Sequence, residues 1–146
     1  MIEYKDFTVV FPGDAEDVTE RQMLGNYPDG LKANVLVSPH HGAATHGSNS
    51  QEWIDALSPD AVIFSSGDRF DHPHCTAFRR YAGTVAQTRT HPVRCGDTDG
   101  YQAHETEAAK YVTSTNGTIV LSTTGETHYK IFCDGSSACG GAMRLR

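Results

Sequence analysis

The residues best suited to chemistry in this chain stand in three places: Asp14 behind Phe11-Pro12-Gly13, the pair His40-His41 in Pro39-His40-His41-Gly42, and His72-Pro73-His74. Carboxylate oxygen and imidazole nitrogen are the usual ligands of zinc and related divalent ions, and an ion so held makes bound water a nucleophile near neutral pH. Asp14 with one of His40 or His41 is the ligand set these types suggest. Each has a plainer reading. Asp is a favoured helix N-cap, and a double histidine before glycine also suits a turn at a strand end. On an extended segment held by Pro73, His72 and His74 point oppositely, so one contacts substrate or donates a proton while the other anchors the loop. The other histidines, His46, His91, His104 and His128, fall in loops or in the terminal hairpin and read as solvated surface groups.

Buried strands must present these groups. Phe7 to Phe11 (FTVVF) ends at Pro12-Gly13 and delivers Asp14; Ala33 to Pro39 (ANVLVSP) hands over to the two histidines; Asp60 to Gly67 (DAVIFSSG) precedes DRFDHPH. Between them AEDVTERQML, stopped by Gly25, reads as a short helix with acids in its first turn. QEWIDALSP reads as a second helix, started by Asn49 and Glu52 in a capping-box pattern and ended by Pro59. A short helix around Ala77 to Tyr81 and a fourth strand from Val85 to Arg89 follow. Residues 90–116 are polar and aperiodic and read as a long insertion, with a helical piece near His104 to Tyr111. TIVLST and THYKIFC form a closing hairpin, and residues 134–146 read as a loose tail. Alternating strands and helices predict one α/β domain over residues 1–146, a mixed sheet with helices packed on it. Parallel neighbouring strands would gather the tips that carry Asp14, His40, His41, His72 and His74 at one edge.

With 38% hydrophobic and 21% charged residues the chain is too apolar to be disordered. A net charge of −6 disfavours generic nucleic-acid binding, although Arg79, Arg80, Arg89 and Arg94 could form a local cluster. No window approaches the roughly 18 apolar residues of a membrane span, and no secretory signal pattern opens the chain. A cytoplasmic location is expected, with Cys75, Cys95, Cys133 and Cys139 as reduced structural thiols.

FPGDAE, NVLVSPHHG and SPDAVIFSSGDRFDHPH, in this order and spacing, resemble the closing motifs of the metallo-β-lactamase superfamily, in particular its ComEC/Rec2-like branch. The resemblance runs from about Phe7 to Arg89 and takes in the final hairpin. It implies the C-terminal half of an αββα sandwich, with helices on one face of the sheet. It also implies that Asp14 is a bridging metal ligand, that His40 is another with His41 beside it, and that His72 and His74 lie on the substrate side. Zinc or manganese and a phosphodiester or similar small ester are the implied cofactor and substrate. The family's H-x-H-x-D-H cluster occurs nowhere in the chain. Two ligands hold a divalent ion weakly, so the chain alone is expected to be inactive. Completion by an N-terminal-half polypeptide is one expectation. The other is a non-catalytic homodimer or assembly module that hides an uncovered sheet face carrying Val9, Val35, Val37, Val62 and Phe64.

Overall fold

The computed structural model describes residues 1–134 and 139–145. Its centre is a five-stranded mixed sheet in the order β1 (Ile2–Tyr4), β2 (Phe7–Val10), β3 (Val35–Val37), β4 (Ala61–Phe64) and β7 (Lys110–Val112). β2, β3, β4 and β7 run parallel, and β1 is an antiparallel edge. Parallel strands end their carboxyl tips on the same side, so the loops after β2, β3 and β4 meet there.

The four parallel strands are largely buried, as continuous apolar runs between two packed layers require, while the edge strand β1 is exposed. On one face Val10, Leu36, Val62, Phe64 and Val112 pack under three helices: α1 (Asp17–Gly25), α2 (Gln51–Leu57) and α3 (Cys75–Arg80). α2 contributes Trp53, Ile54 and Leu57, spaced for one helical face. Its N-cap is Ser50, whose Oγ accepts from the Trp53 N–H at 3.2 Å, and not the expected Asn49.

On the other face Val9, Val35, Ala61, Ile63 and Tyr111 meet Tyr129, Ile131 and Met143. These last come from an antiparallel sheet of β8 (Ile119–Thr123), β9 (His128–Cys133) and β10 (Gly140–Arg144). The expectation of one uncovered face bearing all five of Val9, Val35, Val37, Val62 and Phe64 is therefore corrected. Register puts Val9 and Val35 opposite in facing to Val62 and Phe64, and the chain covers both sides itself. The expected loose tail also differs: Gly140–Arg144 is a strand, while residues 135–138 and 146 lie outside the described residues.

Residues 90–116 are mostly β. β5 (Ala86–Asp97) and β6 (Gly100–Ala108) form a separate antiparallel hairpin. The chain then enters the main sheet as β7, followed by the single turn α4 (Thr113–Asn116). The helical piece expected near His104 to Tyr111 is strand instead, because ladder hydrogen bonds replace the apolar period a helix needs. Val85 to Arg89 leads into β5 and so lies outside the main sheet, whose fourth parallel strand is β7. The cysteines are paired as Cys75–Cys95 and Cys133–Cys139, not reduced as expected, because the fold brings their α-carbons to 4.8 and 5.6 Å. A metal site built on Cys75 thiolate is thereby excluded in this state. No helix among the described residues is long and apolar enough to cross a membrane.

Candidate metal half-site and its flanking clefts

Asp14 stands four residues beyond β2, after a turn in which Gly13 takes φ 62°. The Gly13 carbonyl accepts from the His40 N–H at 2.9 Å, which ties the first loop to the second. In that second loop His40 (φ 48°), His41 (φ 57°) and Gly42 (φ 87°) are all left-handed. For the two histidines this costs on the order of 1–3 kcal/mol each, so surrounding bonds must hold them there. The Ala43 N–H donates to the His40 carbonyl at 2.8 Å. Asn49 Nδ2 donates to the carbonyls of Pro39 and Ala43 at 3.0 and 2.8 Å.

Gly42 is required by a close approach. A Cβ there would lie 2.5 Å from Pro73 Cβ and 2.6 Å from Phe64 Cδ1. That contact joins the second loop to the third, as do the His74 N–H to the Gly42 carbonyl at 3.0 Å and the Ala44 N–H to His74 Nδ1 at 2.9 Å.

Four imidazoles follow from this backbone. Ring centres of His40 lie 6.4 Å from His41 and 6.1 Å from His72; His41 and His72 are 6.2 Å apart, and His72 and His74 are 4.8 Å apart. His72 and His74 thus share one side of their loop, against the expectation that they point oppositely. The reason is a bend at Pro73 in place of an extended segment.

His41 Nδ1 sits 2.7 Å from the Ser65 carbonyl, which can only accept, so Nδ1 carries the proton. In the neutral ring the lone pair of Nε2 then faces Asp14 Oδ1 at 3.3 Å, with half of the His41 side chain and 70% of that of Asp14 exposed. Two electron-rich atoms so placed repel unless a proton or cation lies between them. A tetrahedral ion with bonds of about 2.0–2.1 Å separates neighbouring ligand atoms by about 3.4 Å. A histidine whose other ring nitrogen donates to a carbonyl is the usual way such a ligand is oriented. His40 Nδ1 lies 3.5 Å from Ser48 Oγ, which itself donates to the Ala15 carbonyl at 2.9 Å.

Donor type therefore fits a divalent ion at Asp14 and His41, and donor number falls short. Among the described residues, the group of three such side chains gathered closely enough to hold an ion is Cys75, Cys95 and His104, with ligand atoms within 4.8 Å of one another and the two sulfurs tied in the disulfide, and it includes neither Asp14 nor His40, His41, His72 or His74.

His74 is arranged the other way round. Its Nδ1 accepts from Ala44, so in the neutral ring the proton sits on Nε2 as a donor. Burial, and after it the neighbours His74, His40 and His41, push His72 down to about 4, so its ring is neutral at physiological pH.

Two clefts flank these rings. One, of 270 Å³, is lined by His41, Ser65, Gly67, Arg69, Phe70 and His72. The other, of 360 Å³, includes Ala44, Asp71, His74, Thr76 and Asp97. The β5–β6 hairpin braces the intervening loop: Arg94 bonds Asp68 and lies 4.4 Å from the Tyr101 ring centre, while Tyr101 Oη donates to the Gly67 carbonyl at 3.1 Å. Cys75–Cys95 and the Gly96 N–H, which donates to the Pro73 carbonyl at 2.9 Å, fasten it further.

Of the four arginines that could have gathered, Arg94 is held by Asp68 and Arg80 by the Ser48 and Asn49 carbonyls. His91, expected on the surface, is buried, stacked on Tyr111, with Nε2 2.9 Å from the Lys110 carbonyl. His46, His104 and His128 are exposed as expected. Asn49 and Glu20 support the loop of His40 and His41, a role the sequence reading missed. Glu20 is fully buried, and its carboxylate accepts the Asn49 and Ser50 N–H groups at 2.7 and 3.1 Å.

No family model and no solved structure matches the chain. It is similar to the ComE operon protein 3 of Bacillus subtilis (strain 168), with 37% identity over 67 residues, which is 44% of this chain and 8% of that relative. The chain thus spans less than a tenth of the length of the relative it matches.

Proposed function

We propose that this chain is the C-terminal half of a metallo-β-lactamase-fold hydrolase that cleaves phosphodiester or similar ester bonds at a divalent metal centre. The observation that carries the reading is Asp14 Oδ1 at 3.3 Å from a His41 nitrogen whose lone pair is directed by the Ser65 carbonyl. The convergence of three strand-end loops on that point, and the partial likeness to ComE operon protein 3, support it.

Asp14 and His41 offer the first two donors, and His40 the next imidazole. A bound zinc or manganese ion would supply an activated water near neutral pH. His74 offers an Nε2–H donor to the substrate, and neutral His72 lies beside the cleft in which Arg69, 4.8 Å from the Phe70 ring centre, meets an anionic ester. A catalytic site needs about three protein ligands, so the remaining donors come from a second segment or polypeptide carrying an H-x-H-x-D-H pattern. Disulfides persist mainly in oxidising compartments. Two of them favour a location outside the cytoplasm, in place of the cytoplasmic one expected from sequence.

The test is titration calorimetry of zinc and manganese into the chain and into Asp14→Ala and His41→Ala. Weak binding lost in both variants is expected, with hydrolysis of a chromogenic phosphodiester only when an H-x-H-x-D-H polypeptide is added. Binding that survives both substitutions would sink the reading.

A further inference from the structure

Asn49 lies fully buried at φ 57°, a conformation asparagine tolerates better than most residues. Its side chain uses every bond an amide has. Nδ2 donates to the Pro39 and Ala43 carbonyls, and Oδ1 accepts from Ser38 Oγ at 2.6 Å and Tyr81 Oη at 2.5 Å. Two carbonyls can only accept, so the nitrogen must face them and the amide orientation is fixed. Pro39 and Ala43 bracket the three left-handed residues His40, His41 and Gly42. The amide spans the mouth of that turn and joins its two ends.

The Asn49 backbone is fixed as well, through its N–H on Glu20 Oε1 and its carbonyl on Arg80 Nη1 at 2.9 Å. The brace is thus anchored on α1 and at the end of α3, away from the solvent-facing rings.

We propose that Asn49, held by Glu20, is the positioning residue of the metal-binding turn: it keeps His40 and His41 left-handed, so that His41 reaches both Asp14 and the Ser65 carbonyl. This rests on the proposed reading of Asp14 and His41 as metal donors. Asn49→Asp keeps size, φ tolerance and the Oδ1 acceptor, and places an acceptor against two carbonyls. Asn49→Gly keeps the backbone freedom and removes the side chain.

The measurement is the histidine-ring ¹H–¹⁵N correlation spectrum at neutral pH, with His91, packed elsewhere in the core, as the internal control for folding. In Asn49→Asp, His41 should lose its Nδ1–H tautomer while His91 is unchanged, and zinc affinity should fall about tenfold to a hundredfold, as when a ligand's orienting partner is removed. If Asn49→Asp does not fold, Asn49→Gly is read in the same way. Unchanged His40 and His41 signals in a folded variant would overturn the brace. An absence of zinc binding by the unsubstituted chain would instead sink the metal reading and leave the ring spectra to decide the brace.

Discussion

Replacing Cys75 and Cys95 together by alanine opens a loop closed by residues 20 apart and releases the hinge between α3 and the β5–β6 hairpin. On chain-entropy grounds the 20-residue separation gives about 3.3 kcal/mol of stabilisation, against about 2 kcal/mol for the 6-residue separation of Cys133–Cys139. Both cysteines of the first pair are 1% exposed, so alanine also leaves a small void that adds to the loss. The loss should be concentrated where the bond acts. Cys75 follows His74, and Cys95 precedes the Gly96 whose N–H donates to Pro73. Urea unfolding followed by the fluorescence of buried Trp53 measures the global term. Amide exchange at His74 and Gly96 measures the local one, with faster exchange expected there before the main sheet is affected. A loss under about 1 kcal/mol, or a larger loss from Cys133→Ala/Cys139→Ala, would refute the loop-length argument.

Gly42→Ala should destabilise by more than about 2 kcal/mol, since its Cβ meets Pro73 at 2.5 Å at a φ of 87°; a thermal midpoint within a degree of the parent would contradict the close approach. Lys110, pushed down to about 8 by burial, makes stability rise with pH between about 8 and 10. The unfolded chain keeps that proton to about 10.4, so raising pH through the window favours the folded state. Tyr81 and Tyr111, both raised by burial, stay neutral across the window and turn the curve downward only above it. Unfolding free energy measured from pH 7.5 to 10 checks this, and Lys110→Met should flatten the rise.

How much was legible depends on where the signal lay. FTVVF, ANVLVSP and DAVIFSSG are apolar runs closed by Pro or Gly, and their strands and exit loops follow from that alone. The faces could not be read, because a strand buried on both sides shows no alternation, and so Val9 and Val62 were grouped when they diverge. β6 has mixed burial without a period, and the alternation that β5 does carry, with His91, Val93 and Cys95 buried between Pro92 and Arg94, rests on a histidine and a cysteine that do not stand out as an apolar pattern. The loops announced the chemical groups, and their geometry lay in features with no local signature. Those are the left-handed His40 and His41, the bend at Pro73, the disulfide partner of Cys75, and an asparagine that reads as a helix cap and serves as a brace.

The absent side chain at Gly42 also has a mechanical meaning. With Pro73 and Phe64 in the space a methyl group would fill, the loop of His40 and His41 and the loop of His72 and His74 touch without slack. A push on one is felt by the other. A molecule wedged against His72 from the cleft of Arg69 and Phe70 would press, through Pro73, on the backbone that aims His41. If the proposed reading of the site holds, recognition and donor placement form one rigid lever, and the pivot is a residue with no side chain at all.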